Sequence, residues 1–152
     1  EIDMNEQLII QGVLHEAFTR TSYAPEAKAA DFLRRRFPYP NFCITAFSLS
    51  GTRLADSYRH QLISMIPKYT TGLTKFPTFA YHTENHEFLL LFNYPEEFEP
   101  DIYIKQSYEY FKQRHNCTVF WGISRPCVSL SEFIFAKKEA LTALSFSLTD
   151  RD

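Results

Sequence analysis

The stretch Thr78-Phe79-Ala80-Tyr81-His82-Thr83-Glu84-Asn85-His86-Glu87-Phe88-Leu89-Leu90-Leu91-Phe92-Asn93 decides the fold. Two runs of β-forming residues, 78–83 and 87–93, flank the polar triplet Glu84-Asn85-His86, and short runs broken in this way read as a β-hairpin. The second run, Phe88-Leu89-Leu90-Leu91-Phe92, is apolar throughout rather than alternating, which marks a strand buried on both faces.

Upstream of the hairpin, Phe42-Cys43-Ile44-Thr45-Ala46-Phe47-Ser48 is a strand by the same criteria, broken at Ser50-Gly51. A helix is predicted over residues 52–66, with Ala55, Tyr58, Leu62, Met65 and Ile66 on one face. Pro67 should stop it, and residues 68–75, with Gly72, read as loop.

Downstream, Glu96, Glu97 and Glu99 precede a helix over 101–115 whose inner stripe is Ile104, Tyr108 and Phe111. Carboxylates suit the positive end of a helix, so this acidic group reads as a solvated cap, not a metal site. Thr118-Val119-Phe120-Trp121-Gly122-Ile123-Ser124 is a further strand, with Trp121 expected in the core, ended by Arg125-Pro126. The last helix opens at Ser129 or Ser131; Ser129 with Glu132 fits a capping box. Leu130, Phe133, Ile134, Leu141, Leu144 and Leu148 then face inward.

Two helices lead into this unit. The first, over 5–19, buries Ile10, Val13, Leu14, Ala17 and Phe18 at helical spacing. Leu8 and Ile9 widen that stripe, and with Val13 they form a candidate interface. The second starts near Pro25, turns Ala29, Phe32 and Leu33 inward and ends in Arg34, Arg35 and Arg36. Cations favour a helix C-terminus, and that reading is preferred to a nucleic-acid patch. The order is two helices, then β-α-β-β-α-β-α. It predicts an α+β fold: a βαββαβ-type, mostly antiparallel sheet with helices packed on one face. The lead-in helices attach at an edge or cover a face. The chain reads as a single domain over 1–152, with lead-in helices in 1–40 and a core in 41–148.

At 152 residues and 45% apolar content, the chain can bury a core without disulfides or metal. A formal charge of −2 supplies no basic field for a nucleic-acid duplex. Cys43, Cys117 and Cys127 are odd in number and form no CxxC pair, which fits a reducing cytoplasm. No signal peptide or membrane-spanning run is visible. With Glu1 rather than Met at its start, the chain is expected to be a piece of a longer protein.

Three stretches, Phe120-Trp121-Gly122-Ile123-Ser124, Glu139-Ala140-Leu141-Thr142-Ala143-Leu144 and Glu84-Asn85-His86-Glu87-Phe88, together resemble the GGDEF domain, the diguanylate cyclase architecture, in its degenerate form within AraC-type bacterial transcription regulators. Phe120-Trp121-Gly122-Ile123-Ser124 resembles the family's S-x-G-I-S strand end. Glu139, Ala140, Ala143 and Leu144 match its E-A-x-x-A-L helix, whereas Ala136 and Lys137 depart from the residues that precede it there. The run Glu84-Asn85-His86-Glu87-Phe88 stands where an active cyclase has Gly-Gly-Asp-Glu-Phe, and only Glu87 and Phe88 agree. The resemblance covers residues 41–148 in layout.

It implies a nucleotidyl cyclase-like fold without the chemistry. Joining two GTP molecules requires divalent metal on hard oxygen ligands. The family places one acidic ligand at the end of the first strand, and the run 42–50 contains no Asp or Glu. Glu84 puts negative charge where phosphate or guanine would lie, and one surviving carboxylate cannot assemble a two-metal site. His82, Glu84, His86 and Glu87 have donor atoms for a transition metal, but polar residues collect at any hairpin apex and no ligand spacing is recognisable. No enzyme activity, metal or cofactor is expected.

The expected role is therefore a non-catalytic signal-relay and dimerisation domain in the cytoplasm. Self-association or flanking domains of the same chain would be its partners. DNA would be reached only through a DNA-binding domain outside this stretch, and membrane only through upstream segments. The alternative is a receptor for a nucleotide or cyclic dinucleotide that keeps the cleft without catalysis.

Overall fold

The computed structural model describes residues 4–50, 56–83 and 87–149. Strand β1 (Asn41–Ser50) lies at the centre, antiparallel to β3 (Phe88–Tyr94) on one side and to β4 (Thr118–Ile123) on the other. Strand β2 (Thr78–His82) pairs antiparallel with β3, giving the order β2-β3-β1-β4. Helix α3 (Asp56–Thr74) joins β1 to β2, and α4 (Pro100–His115) joins β3 to β4. This is the α+β, βαββαβ plan that the sequence predicts.

Both central strands are buried on both faces, as the unbroken apolar run of β3 requires. On one face Cys43, Phe47, Leu90 and Phe92 meet Leu62 and Ile66 of α3 and Ile104, Tyr108 and Phe111 of α4. On the other, Ile44, Ala46, Leu89 and Leu91 meet α1 (Met4–Thr19), α2 (Ala27–Arg36) and α5 (Phe133–Thr149). The lead-in helices thus cover a face rather than an edge, and the sheet has a helical layer on each side instead of on one. Each fully buried Leu, Ile or Phe contributes about 1.5–3 kcal/mol of apolar transfer, which both layers need to offset chain entropy.

The inner stripes of α1 and α4 are as periodicity predicts: Ile10, Val13, Leu14, Ala17 and Phe18, then Ile104, Tyr108 and Phe111. Strand and helix ends differ by one or two residues; Pro25 precedes the cap residue Glu26 of α2 rather than opening the helix. The larger departure is α3, which runs through Pro67 to Thr74, so the loop expected over 68–75 is helical as far as Thr74. Tertiary contacts offset the backbone bond that proline removes. Thr70 is buried with its hydroxyl 2.9 Å from that of Ser107 on α4, and the Tyr69 ring packs against Tyr110 and Phe111. The hydroxyl of Thr78 also donates to the Pro67 carbonyl at 2.9 Å. The helix ends at Thr74, and the next residue, Lys75, takes a left-handed φ of 68°.

The capping box is present: the Ser129 hydroxyl accepts from the Ser131 amide at 3.2 Å, and the Glu132 carboxylate accepts from the Ser129 amide at 3.0 Å. A short 3-10 turn, Leu130–Glu132, leads from it into α5. No helix among the described residues is long and apolar enough to cross a membrane.

Candidate functional site

Three regions bear on function: the β2–β3 hairpin, the strand beneath it, and the outer face of α1. At the hairpin, Glu84, Asn85 and His86 lie outside the described residues. Glu87 and Phe88, which agree with the cyclase motif, are placed, and both serve the turn. The Thr83 amide donates to the Glu87 carbonyl at 2.9 Å, and the Glu87 amide donates to the Thr83 hydroxyl at 3.1 Å. That hydroxyl in turn donates to the Glu87 carboxylate at 2.9 Å. The surviving carboxylate therefore closes the base of the hairpin. Phe88 is stacked between two rings, with His82 at 4.4 Å and Phe47 at 6.0 Å between centroids.

Beneath the hairpin, β1 offers no acidic side chain along its whole length. Opposite Phe88 it presents Phe47, which also pairs with Trp121 of β4. Trp121 is half-buried against Tyr108, so it belongs to the core as expected. The surface around Phe47 and Phe88 is hydrocarbon and aromatic. Among the described residues, no three His, Cys, Asp or Glu side chains are grouped so as to hold a metal ion.

The nucleophile candidates are disarmed by burial. All three cysteines are free and buried. Burial pushes the Cys43 and Cys117 thiols up, and Cys127 is raised to about 12 by burial and then by the nearby Glu132 and Glu139 carboxylates. A thiol in such surroundings carries almost no thiolate near neutral pH. Burial likewise raises the Tyr94 and Tyr108 hydroxyls, so neither is a general base there.

Helix α1 carries the exposed apolar surface. Leu8 is 61% exposed and Ile9 44%, while Met4, one turn before Leu8, is 77% exposed. Val13, the third residue of the candidate interface, is not on that surface. It is 6% exposed and packed in the core with Ile10 and Leu14, because its place on the helix is that of the inward stripe. The flank of α1 is held by Glu6, whose carboxylate pairs with Arg36 at the end of α2. One member of the arginine run is thus a helix-to-helix tie.

The two stretches that carry the rest of the resemblance meet in space. Gly122 of β4 lies directly under Ala140, Ala143 and Leu144 of α5, and Glu139 pairs with Arg125 at 2.8 Å. The sequence keeps the two stretches apart, and only the fold shows that the glycine of one makes room for the helix of the other. Asn93 belongs to no motif, yet its fully buried side chain makes three hydrogen bonds; a lone Asn near the end of an apolar strand is its one signal in the sequence. A scan against protein-family models matches none, and a search of curated proteins finds no match.

Proposed function

We propose that this chain is a non-catalytic regulatory domain that relays a signal by self-association, in the manner of the degenerate GGDEF-like domains of AraC-type bacterial regulators. The observation that carries this reading is the division of α1. One side of the helix is sealed into the core through Ile10, Val13 and Leu14, while Met4, Leu8 and Ile9 stand exposed along the other. Exposed apolar residues in a row on one helix form a surface that a second copy can cover. The acid-free β1 and the Thr83–Glu87 closure support the non-catalytic half of the reading.

On this reading the domain works in the cytoplasm and reaches DNA only through a DNA-binding domain elsewhere in its protein. Light scattering over a range of concentrations tests it. A dimer that dissociates on Leu8→Lys with Ile9→Lys is the expected result, and a strict monomer at millimolar concentration overturns it.

A further inference from the structure

A cavity of about 470 Å³ opens on the face of the sheet covered by α1, α2 and α5, away from the hairpin. Its volume lies within the roughly 300–1,000 Å³ of small-molecule sites. Its walls come from segments far apart in the chain: Leu14 of α1, Tyr23 in the α1–α2 connection, Leu33 of α2, Phe42 of β1 and Phe133 of α5. We propose that this cavity binds a planar aromatic carboxylate.

Two rims of the cavity are held in place by the protein itself. Tyr39, on one rim, is fixed by Asn93, which accepts from the Tyr39 amide at 3.0 Å and donates to the Tyr39 carbonyl at 2.9 Å. Val128 and Ser129, on another, both donate their amides to Glu132 at 3.0 Å. A site whose walls are ordered in advance loses less entropy on binding.

The ring preference follows from the floor. Phe42 stands edge-on to both Phe37 and Phe133, with centroids 6.1 and 5.3 Å away. Phe37 and Phe133 are themselves buried, so the ring surface left to a ligand is that of Phe42 with Tyr23 and Tyr39, all three partly exposed along the cavity, where the quadrupole of a further ring favours tilted contacts. The charge preference follows from Arg34, which lines the cavity and makes no ion pair or hydrogen bond among the described residues. Its neighbour Arg36 is bound to Glu6, so Arg34 is the guanidinium in this wall available to a carboxylate.

Calorimetric titration with indole-3-acetate, and with indole-3-acetamide as its neutral counterpart, tests the proposal. The acetate should bind saturably at one site per chain, and Arg34→Gln should weaken it about tenfold while leaving the amide unchanged. Ala30 also lines the cavity, and Ala30→Trp, placing an indole there, should remove both. Because Arg34 is exposed, its variant keeps the test sound even if the tryptophan variant does not fold. No saturable heat from the acetate, equal affinity for the amide, or an unaltered Arg34→Gln would each overturn the proposal.

Discussion

Gly122 and Ala140 are in backbone contact: the α-carbon of the glycine lies against the peptide of α5. A β-carbon at position 122 would come within 2.7 Å of the Ala143 carbonyl carbon, and closer still to the Ala140 oxygen and the Leu144 nitrogen. Those atoms are main chain, so no side-chain rotation relieves the clash; either the helix or the strand must move. Gly122→Ala should therefore cost at least about 3 kcal/mol, the upper part of the range for overpacked cores. Gly12 is the internal control, since a β-carbon there meets nothing within 4 Å. Gly12→Ala should stabilise α1 by about 0.5–1 kcal/mol. Urea unfolding of the two variants checks both signs, and a neutral Gly122→Ala would mean that α5 is not so close.

The same contact shows what was legible in the sequence. The helical stripe of Ile104, Tyr108 and Phe111 follows from period, and the two-faced strand Phe88–Phe92 from a short unbroken apolar run beside a polar turn, because burial on one face or two leaves a direct trace in residue order. The passage of α3 through Pro67 leaves no such trace. It depends on Thr70 reaching Ser107 and Tyr69 reaching Phe111, partners about 40 residues away whose positions only the folded chain defines. The placement of α1 and α2 over a face was open for the same reason. The α1 ridge was partly readable, since Leu8 and Ile9 exceed what an inward stripe needs. The cavity is not: by sequence Arg34 is a cation at a helix end like any other, and only the fold sets it in one cavity wall with Phe42 and Phe133.

Asn93 holds the segment before β1 against β3. It accepts from the Tyr39 amide at 3.0 Å and donates to the Tyr39 and Asn41 carbonyls at 2.9 and 3.0 Å. Asn93→Leu preserves volume but removes all three bonds and deprives the Tyr39 amide and carbonyl of these partners, and each buried orphan costs about 1–3 kcal/mol. A loss of about 3 kcal/mol is expected in urea unfolding, since part of the segment can rehydrate. Faster amide exchange at Tyr39 is the specific signature. A drop in stability without that change would place the effect in packing instead.

Alkaline pH should weaken the fold through the buried thiols. Cys127 is raised to about 12 in the folded chain, first by burial and then by Glu132 and Glu139, whereas an unfolded thiol titrates near 8.5. The folded form keeps a proton that the unfolded form releases. The associated stability is thus complete below about pH 8.5 and is lost as pH rises from there towards the folded value. Cys43 and Tyr108 act in the same direction. The urea midpoint should fall between pH 7 and pH 10, and Cys127→Ala should make that fall shallower. At pH 8 the native chain should react slowly with a thiol-specific disulfide reagent and fast once unfolded. Rapid labelling of all three cysteines in the native state would contradict their burial.

Incubation with GTP and magnesium should yield no cyclic dinucleotide and no pyrophosphate. On the proposed likeness to cyclases, phosphoryl transfer would need carboxylate oxygens on both the first strand and the hairpin, to hold the metal against the triphosphate. β1 has no acidic residue, and the Glu87 carboxylate accepts the Thr83 hydroxyl at 2.9 Å. Freeing that carboxylate does not repair the site. Thr83→Val should leave turnover at background and lower stability by about 1 kcal/mol, the usual worth of such a hydrogen bond. If either protein releases pyrophosphate above a no-protein control, a second carboxylate must reach the hairpin from elsewhere in the chain, and the non-catalytic reading fails.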